Sequence, residues 1–227
     1  GVILEDLDAL AGNIAAQHSD NGENLLLVTA SVDRIRILAP LHVDENYELF
    51  GQVVWVGSSS MVIRMGLFQT GQDKNEPPIL KSNFTFVARD RQTMRAAKIN
   101  FLEPETDEEK KWFESAAADN ARKKAARDEL KDPVAGGAAL LRREKEVAAM
   151  IDAARPFVHL PCLQPDDAVF MNVTSLTNTL LTQPQHQNTA GRVFGGFLMR
   201  RAFEIAFSTA CIFSGGRKVK LSAVSEV

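Results

Sequence analysis

The sequence contains few cysteines and no long apolar run, and each shortage excludes a class of protein. Its two cysteines, Cys162 and Cys211, have neither metal-ligand nor Cys-X-X-Cys spacing, and two in 227 residues do not make a disulfide scaffold. We expect both to be reduced, buried thiols. No apolar run reaches the roughly 20 residues that a membrane-spanning helix needs. The sequence therefore predicts neither a disulfide-stapled nor a membrane-spanning protein.

Charge of one sign is also not in large excess. The formal net charge is −3, from 26 Lys and Arg against 29 Asp and Glu. This balance gives no general attraction to nucleic acid or to an anionic membrane, although local basic groups can still hold phosphates. With 45% hydrophobic residues, the chain is able to bury one large or two small cores.

An internal repeat is the most informative feature that is present. The polar turn His186–Gly196 ends in two glycines and leads into an apolar, helix-like segment, Phe197–Phe213. The chain begins at Gly1 with a similar helix. Val28–Asp33 follows this first helix much as Leu221–Glu226 follows the second, so the sequence contains two copies of one unit.

The two copies differ at the positions that matter for chemistry. Aligning Gly1 with Gly196 places Asp8 opposite Phe203, so only the first copy offers a carboxylate there. Only the second copy shows the Asn188 turn, because the matching turn would precede Gly1. We expect each copy to supply half of one site. A polar turn and paired glycines at a helix start present free N–H groups, which suit a developing oxyanion.

Hydrophobic periodicity predicts the fold of the first copy. Residues 2–17 have helical spacing, with Ile3, Leu7, Leu10 and Ile14 on the core face and a neighbouring strip of small residues around Asp8. Four strands rich in Val, Ile and Phe follow, joined by short turns: Leu25–Leu38, Asn46–Val56, Met61–Thr70 and Ile79–Arg89. Consecutive hairpins predict an antiparallel sheet, and one long helix against it predicts an α+β fold.

The composition shifts after Glu103. Thr106 and Glu109 form a predicted capping box for a helix. The charged stretch to Arg155 predicts a helical linker, broken at residues 132–137, that is solvated and packed along the domains rather than a partner-binding helix. A strand at residues 168–181 is predicted next. It is expected to pair with the sheet of residues 25–89, with the second copy's helix left outside. The domain boundaries are then 1–96 for the first unit, 97–167 for the linker and 168–227 for half of the second unit.

These features together resemble the double-hotdog acyl-CoA thioesterases of the mitochondrial type. The resemblance depends on five segments and their order: Leu4–Gly12, Val28–Ile35, Val56–Met61, Asn100–Glu105 and Asn188–Met199. It implies a tandem (double) hotdog, in which an antiparallel sheet wraps a long central helix. It also implies acyl-CoA hydrolysis in fatty acid metabolism without a metal or redox cofactor, a homo-oligomer, and a mitochondrial location, with a cytoplasmic one as the alternative.

The resemblance also implies roles for individual residues. Asp8 is the expected general base, or alternatively a direct nucleophile, and Asn188 is expected to hold the water or the thioester oxygen. The N–H groups of Gly195 and Gly196 are expected to stabilise the oxyanion. Phe203 implies that the second, pseudo-symmetric site is inactive.

Substrate contacts are predicted at two further places. Val193 and Phe194 lead into the second helix and are expected to contact the substrate. The turn of Gly57, Ser58, Ser59 and Ser60 is expected either to line the coenzyme A channel or to be a plain hairpin.

Each of these assignments has a structural alternative. Asp8 can be a solvated carboxylate near a helix start, and Asn188 can cap its turn. His186 is a possible base, as in hydratases, but no matching acidic residue lies near it in the sequence. A Ser-His-Asp hydrolase is not expected, because no Gly-X-Ser-X-Gly motif is present.

Two rival functions remain open from the sequence. The first is a non-catalytic acyl-CoA-binding or scaffolding protein, including an inactive truncated product, and the second is an enoyl-CoA hydratase. Because the sequence starts on a helix and stops in a strand, we expect truncation at both ends, with any targeting peptide missing. Strand edges left unpaired in this way predict oligomerisation or aggregation and poor hydrolysis by the chain as given.

Overall fold

The computed structural model describes residues 1–19, 24–73, 75–131, 133–163, 165, 169–188 and 191–226. They fall into two compact units. The first unit contains Gly1–Ala116 and Leu176–Val227, and the second contains Ala117–Ser175.

The first unit is built on one antiparallel sheet. Its first helix is α1 (Val2–His18). The strands are β1 (Leu25–Ile37), β2 (Tyr47–Val56), β3 (Ser60–Gln69), β4 (Leu80–Asp90) and β5 (Ala223–Glu226). The sheet order is β2-β3-β4-β1-β5, and each paired strand runs antiparallel to its neighbour. The four predicted strands agree with β1–β4 to within one residue at each end, so the α+β prediction is confirmed.

The core lies between α1 and the sheet. β4 alternates strictly between buried and partly exposed residues, with Phe84 and Phe86 on the buried side, as a strand with one face on a core must. On α1 the fully buried apolar residues are Leu4, Leu7, Ala11 and Ala15. Ile3, Leu10 and Ile14 are only partly buried at the core margin. The helix is thus rotated from the predicted face toward its small residues, which also buries Asp8.

β1 is irregular beside the place where α1 crosses it. Its register against β4 shifts between Thr29 and Ser31 and again between Asp33 and Arg36. The first shift leaves Ala30 as an extra residue. Bulges of this kind bend a strand and re-aim the neighbouring side chains, and here the neighbour is Thr29.

The outer face of the sheet is covered by the start of α2 (Asp107–Lys131). Ala116 is buried with Val54 and Val62, and the Arg64 guanidinium lies 4.3 Å from the centre of the Trp112 ring. The linker was predicted to be solvated and packed along the domains, but that prediction did not name the residues that make this contact.

The predicted capping box at the start of α2 is confirmed. The N–H of Glu109 donates to Thr106 Oγ1 at 3.2 Å, and the N–H of Thr106 donates to Glu109 Oε2 at 3.0 Å. Glu109 also accepts from the N–H of Glu105 and from Gln52 Nε2 on β2. These hydrogen bonds lower the pKa of the exposed Glu109 carboxyl, the Thr106 N–H having the largest effect.

The predicted break at residues 132–137 is wrong where it can be compared. Asp132 lies outside the described residues, but α3 (Pro133–His159) runs through Gly136 and Gly137. A proline at the first helical position is compatible with a helix start, because the missing N–H has no intrahelical acceptor there.

The predicted strand at 168–181 is also wrong. Ala168 lies outside the described residues, and the described part contains a short 3-10 helix, Met171–Thr174, and no strand. Thr174 Oγ1 closes that turn by donating to the carbonyl of Met171 at 2.7 Å. We also expected this segment to pair with the first sheet, but β5 occupies the β1 edge instead.

The second copy's helix, α4 (Gly195–Phe213), packs on α1. The expectation that it would lie outside the sheet-and-helix unit is therefore wrong. Gly196, Phe197 and Met199 are buried, and Met199 joins the main core. Apolar residues in the first turns of α4 provide this contact, whereas its last turn leaves Phe213 exposed.

Both cysteines are free thiols, as predicted, but neither is buried. Cys162 is exposed and Cys211 is intermediate, because it lies in the part of α4 beyond the packed turns. Within the described ranges, no helix combines the length and apolar character that crossing a membrane requires.

Candidate active site

Asp8 is the buried polar group at the contact between the two helices. It lies in the second turn of α1 and only 2% of its surface is exposed. Thr29 Oγ1 donates a hydrogen bond to Asp8 Oδ1 at 3.0 Å. Burial raises the pKa of Asp8, and the contacts from the Thr29 hydroxyl and the Gly196 N–H lower it by less. A carboxylate with a raised pKa is a stronger base than one in water.

The paired glycines are required by close packing on α1. A Cβ at Gly195 would lie 3.0 Å from Asp8 Oδ2, and a Cβ at Gly196 would lie 2.9 Å from the carbonyl oxygen of Glu5. The first turn of α4 therefore reaches Asp8 only because both residues lack side chains. The N–H groups of this turn have no intrahelical acceptors, and the helix dipole makes this end positive.

Asn188 lies in the turn that precedes α4. Its Oδ1 accepts a hydrogen bond from the N–H of Arg192 at 3.0 Å, and its own N–H donates to the carbonyl of Arg192 at 2.7 Å. Gly191 completes the turn with a φ of +71°. The side-chain oxygen of Asn188 thus caps its turn, which is the structural alternative; Thr189 and Ala190 lie outside the described residues.

A cleft of about 760 Å³ opens over Asp8. Its walls include Asn188, Val193, Phe194 and Gly195, so five of the predicted site residues, counting Asp8, share one cavity. The rest of the wall is largely apolar or small, with side chains from α1, β1 and α4. An apolar cleft with few polar groups is typical of a small-molecule site.

Gly196 does not line this cleft. It is buried behind the first turn, where its N–H faces the Asp8 carboxylate. Gly195 does line the cleft, so the two glycines differ in what they can contact.

The predicted channel residues Gly57, Ser58, Ser59 and Ser60 lie elsewhere. They form the turn between β2 and β3, where the N–H of Gly57 donates to the carbonyl of Ser60 at 2.7 Å. The carbonyl of Ser59 accepts from the N–H of Ala88, also at 2.7 Å. The described structure does not bring this turn to the cleft around Asp8.

His186 has a packing role in the described structure. Its Nδ1 accepts a hydrogen bond from the N–H of Gln183 at 3.0 Å, and its ring stacks on Phe197 with the centroids 4.1 Å apart. It is not among the residues that line the cleft. These contacts favour the structural interpretation over a catalytic base.

Two arginines of the cleft were missed by the sequence reasoning. Arg91 follows β4 in a tight turn that Asp90 caps, and Arg192 lies in the Asn188 turn. Both are exposed, and among the described residues neither makes an ion pair with a carboxylate. The position of Arg192 inside the singled-out turn was the only available signal.

The described residues contain no cluster of three or more His, Cys, Asp or Glu side chains suited to a metal ion. The polar groups that line the cleft are one carboxylate, one hydroxyl, three side-chain amides, two guanidinium groups and the start of a helix.

Comparison with known proteins gives consistent relatives. The model of the thioesterase superfamily matches residues 1–75. The chain is 43% identical over 226 residues to acyl-coenzyme A thioesterase 4, mitochondrial, of Humulus lupulus, covering 95% of this chain and 41% of that protein. It is 41% identical to acyl-coenzyme A thioesterase 2, chloroplastic, of the same plant, covering 95% and 50%.

An animal relative gives a similar picture. Acyl-coenzyme A thioesterase 9, mitochondrial, of Mus musculus is 33% identical over 222 residues, covering 96% of this chain and 51% of that protein. The chain thus spans about half the length of the curated relatives it matches. Among solved structures, an acyl-CoA hydrolase from Staphylococcus aureus in complex with butyryl coenzyme A is 26% identical with a TM-score of 0.49, covering 62% of this chain and 81% of that chain.

Proposed function

We propose that the protein is an acyl-coenzyme A thioesterase, like the relatives to which it is similar, and that it hydrolyses acyl-CoA to a free fatty acid and CoA-SH. One observation carries this proposal. A buried carboxylate, Asp8, faces the glycine-lined start of α4 within a largely apolar cleft that also holds two arginines, neither with a carboxylate partner among the described residues. This arrangement supplies a base, an anion-stabilising group and a place for an acyl chain with an anionic carrier.

Asp8 is the proposed general base. Its carboxylate takes a proton from a water molecule, whose oxygen attacks the thioester carbonyl carbon. The carbon–sulfur bond of the tetrahedral intermediate then breaks, and the proton passes to the departing sulfur. Thr29 holds Oδ1 through its hydroxyl, which leaves Oδ2, on the Gly195 side, for the water. No metal or redox cofactor enters this scheme.

The proposed oxyanion donors are the N–H of Gly195 and the amide of Asn188, since both residues line the cleft. Gly196 was expected to share this role, but its N–H is directed to Asp8. We assign it the task of orienting the base. Donors of this kind lower the barrier because they are fixed before charge develops on the oxygen.

Arg91 and Arg192 are proposed to hold the phosphates of coenzyme A. Both guanidinium groups reach the cleft that contains Asp8, and the described residues supply no carboxylate partner to compete for them. Arginine suits phosphate because its planar group donates two parallel hydrogen bonds. The Gly57–Ser60 turn remains a proposed coenzyme A contact outside this cleft, and Val193 and Phe194 are proposed to contact the substrate within it.

The test measures free-thiol release from acyl-CoA by the full-length protein across a series of chain lengths. Arg91→Gln and Arg192→Gln are each expected to raise KM about tenfold with little change in kcat, because binding lost equally from ground and transition states appears in KM. Arg155→Gln is the matched control, since Arg155 is paired with Asp152 on the exposed surface of α3. An unchanged KM in both cleft variants would remove the phosphate assignment.

The same assay separates the rival functions. Binding of acyl-CoA without thiol release by the full-length protein would indicate a non-catalytic carrier. Addition of water to an enoyl-CoA with the thioester intact would indicate a hydratase. We favour neither, because Asp8 rather than His186 faces the cleft.

Location and assembly complete the proposal. We propose an organellar, mitochondrial protein, because two of the relatives described above carry that location in their names. We also propose a homo-oligomer formed through hotdog packing, as the family resemblance implies. The native mass of the purified full-length protein tests the second statement, and a monomer would contradict it.

A further inference from the structure

An ion pair connects the helices of the two copies beside Asp8. Arg200 Nη1 on α4 lies 3.0 Å from Glu5 Oε2 on α1, and both side chains are about two-thirds buried, with 35% and 27% of their surfaces exposed. Glu5 is three residues before Asp8, on the same side of α1. Arg200 is four residues after Gly196, on the same side of α4.

The two partners of this pair occupy equivalent positions in the repeat. The alignment of Gly1 with Gly196 also places Glu5 opposite Arg200, because each residue is four positions further along its copy. A residue that contacts its own equivalent lies on the two-fold axis that relates the copies. The axis of this repeat therefore passes between Glu5 and Arg200.

Neighbouring contacts obey the same symmetry. A Cβ at Gly196 would meet the carbonyl oxygen of Glu5 at 2.9 Å, and a Cβ at Gly1 would meet Arg200 Cγ at 3.1 Å. The first copy's Asp8 faces the start of α4, and its counterpart Phe203 lies 3.4 Å from the Cβ position of Gly1. The two helix starts are thus packed reciprocally, with a carboxylate on one side only.

The charges at this two-fold axis favour the pairing of unlike copies over the pairing of like copies. If two first copies met through this surface, Glu5 would face a second Glu5, and two second copies would bring Arg200 against Arg200. Like charges in a partly buried contact are unfavourable, whereas the observed pair is attractive. Glu5 therefore faces an opposite charge across the axis only when unlike copies meet.

We propose that the Glu5–Arg200 pair selects pairing between unlike copies and so places the Asp8 carboxylate against Gly195 and Gly196. Its effect on turnover rests on the hydrolase function proposed above. Glu5 and Arg200 are positioning residues in this proposal, since neither lines the cleft.

The surroundings hold Arg200 in place for this task. Its Nε donates to Glu204 Oε1 at 3.0 Å, and Arg201 Nη1 donates to Glu204 Oε2 at 2.7 Å. The guanidinium of Arg200 therefore bridges a carboxylate on its own helix and one on α1, which limits its rotation. A charged group held this way selects a partner with less loss of side-chain freedom.

The test is a set of substitutions in the full-length protein. Glu5→Arg and Arg200→Glu each place like charges at the axis, and the double swap restores opposite charges. Glu5→Gln, Arg200→Gln and their combination form a neutral cycle, which keeps the side-chain size at Glu5 and shortens the side chain at Arg200. Arg142→Gln is the control, because Arg142 is paired with Glu146 on an exposed face of α3.

The single reversals are expected to lower kcat about tenfold with KM changed less than about twofold, and the swap is expected to bring kcat within about threefold of wild type, as residues in contact are non-additive. A general loss of structure would not be rescued by the swap. In the neutral cycle the effects on kcat should also be non-additive, so that the kcat of the double variant is no lower than that of either single variant. A swap as poor as the single reversals, together with an additive neutral cycle, would overturn the proposal.

Thermal unfolding separates this proposal from the hydrolase function. The midpoints of the same variants should show the same coupling whether or not the protein turns over acyl-CoA. Coupling in the midpoints with no thiol release by wild type would refute the hydrolase function and keep the pairing. Thiol release by wild type, with no coupling in kcat or in the unfolding midpoints, would refute the pairing proposal and keep the hydrolase function.

Discussion

The replacement Asp8→Asn tests the catalytic role of the Asp8 carboxylate separately from its role in packing. Asparagine keeps the shape, and its Oδ1 can still accept from Thr29 Oγ1. What is lost is the capacity to take a proton. General-base catalysis contributes about 10²–10⁴ in rate, so we expect kcat to fall by that factor, which corresponds to about 2.7–5.4 kcal/mol of barrier.

The same replacement should not destabilise the fold at neutral pH. Burial raises the pKa of Asp8 in the folded protein above its ordinary value, which is its pKa in the unfolded chain. At a pH between these two pKa values, the folded protein therefore binds more protons than the unfolded chain. The free energy of unfolding therefore falls as pH rises through this window. Above it the charged Asp8 lowers stability, and asparagine does not. The free energy of unfolding of the Asp8→Asn variant should therefore rise relative to that of wild type as the pH increases from acid to neutral.

The assay combines free-thiol release with thermal unfolding at pH 3 and pH 7. The expected result is a severe loss of kcat together with an unfolding midpoint at pH 7 equal to or above that of wild type. A variant with near-normal kcat would refute the assignment of Asp8 as base. A variant that is less stable than wild type at pH 7 but not at pH 3 would contradict the effect of burial on its pKa.

Three further substitutions test the surroundings of the site. Gly196→Ala should destabilise the protein by about 1–3 kcal/mol, because its Cβ would press on the carbonyl of Glu5, and the unfolding midpoint measures this. Thr29→Val removes the donor to Asp8, so the pKa of Asp8 should rise and the acid limb of the kcat/KM profile should move to higher pH; an unmoved limb would contradict the hydrogen bond. Glu109→Ala should lower the unfolding midpoint through the loss of a helix cap worth about 1 kcal/mol, and an unchanged midpoint would show that the cap is not needed.

The first copy was predictable because its signals are local. β4 alternates strictly, β3 is rich in apolar residues, and the turns between strands carry glycine, serine or proline, so strand ends were placed within one residue. The helix was equally clear, but its orientation was not. Ala11 and Ala15 are buried more completely than the larger Ile3 and Leu10, because small residues let α1 approach the sheet closely.

The site was predictable only in part. Asp8 stood out as an acidic residue on a strip of small ones, and the glycines stood out as a pair before a helix. Arg91 could not be found, since its place in the cleft depends on how the turn after β4 meets the turn before α4. The use of Asn188 Oδ1 by the Arg192 N–H is likewise a property of the folded turn.

The contact residues of the long charged segment could not be named in advance for a related reason. Most of α2 is polar and reads as solvated, yet Trp112 and Ala116 anchor its first turns to the outer face of the sheet. Two apolar residues in a charged stretch are a weak pattern, and what they pack against is known only once β2 and β3 are in place.

The contact between Glu109 and Gln52 also bears on the order in which the chain folds. During synthesis the N-terminal residues emerge first, so β2 leaves the ribosome before the start of α2. The Glu109 carboxylate closes the first turn of α2 and at the same time accepts from Gln52 on the sheet. We therefore expect the finished sheet to act as a template on which α2 begins, so that the costly first turn of this helix forms at one place rather than anywhere along the charged segment.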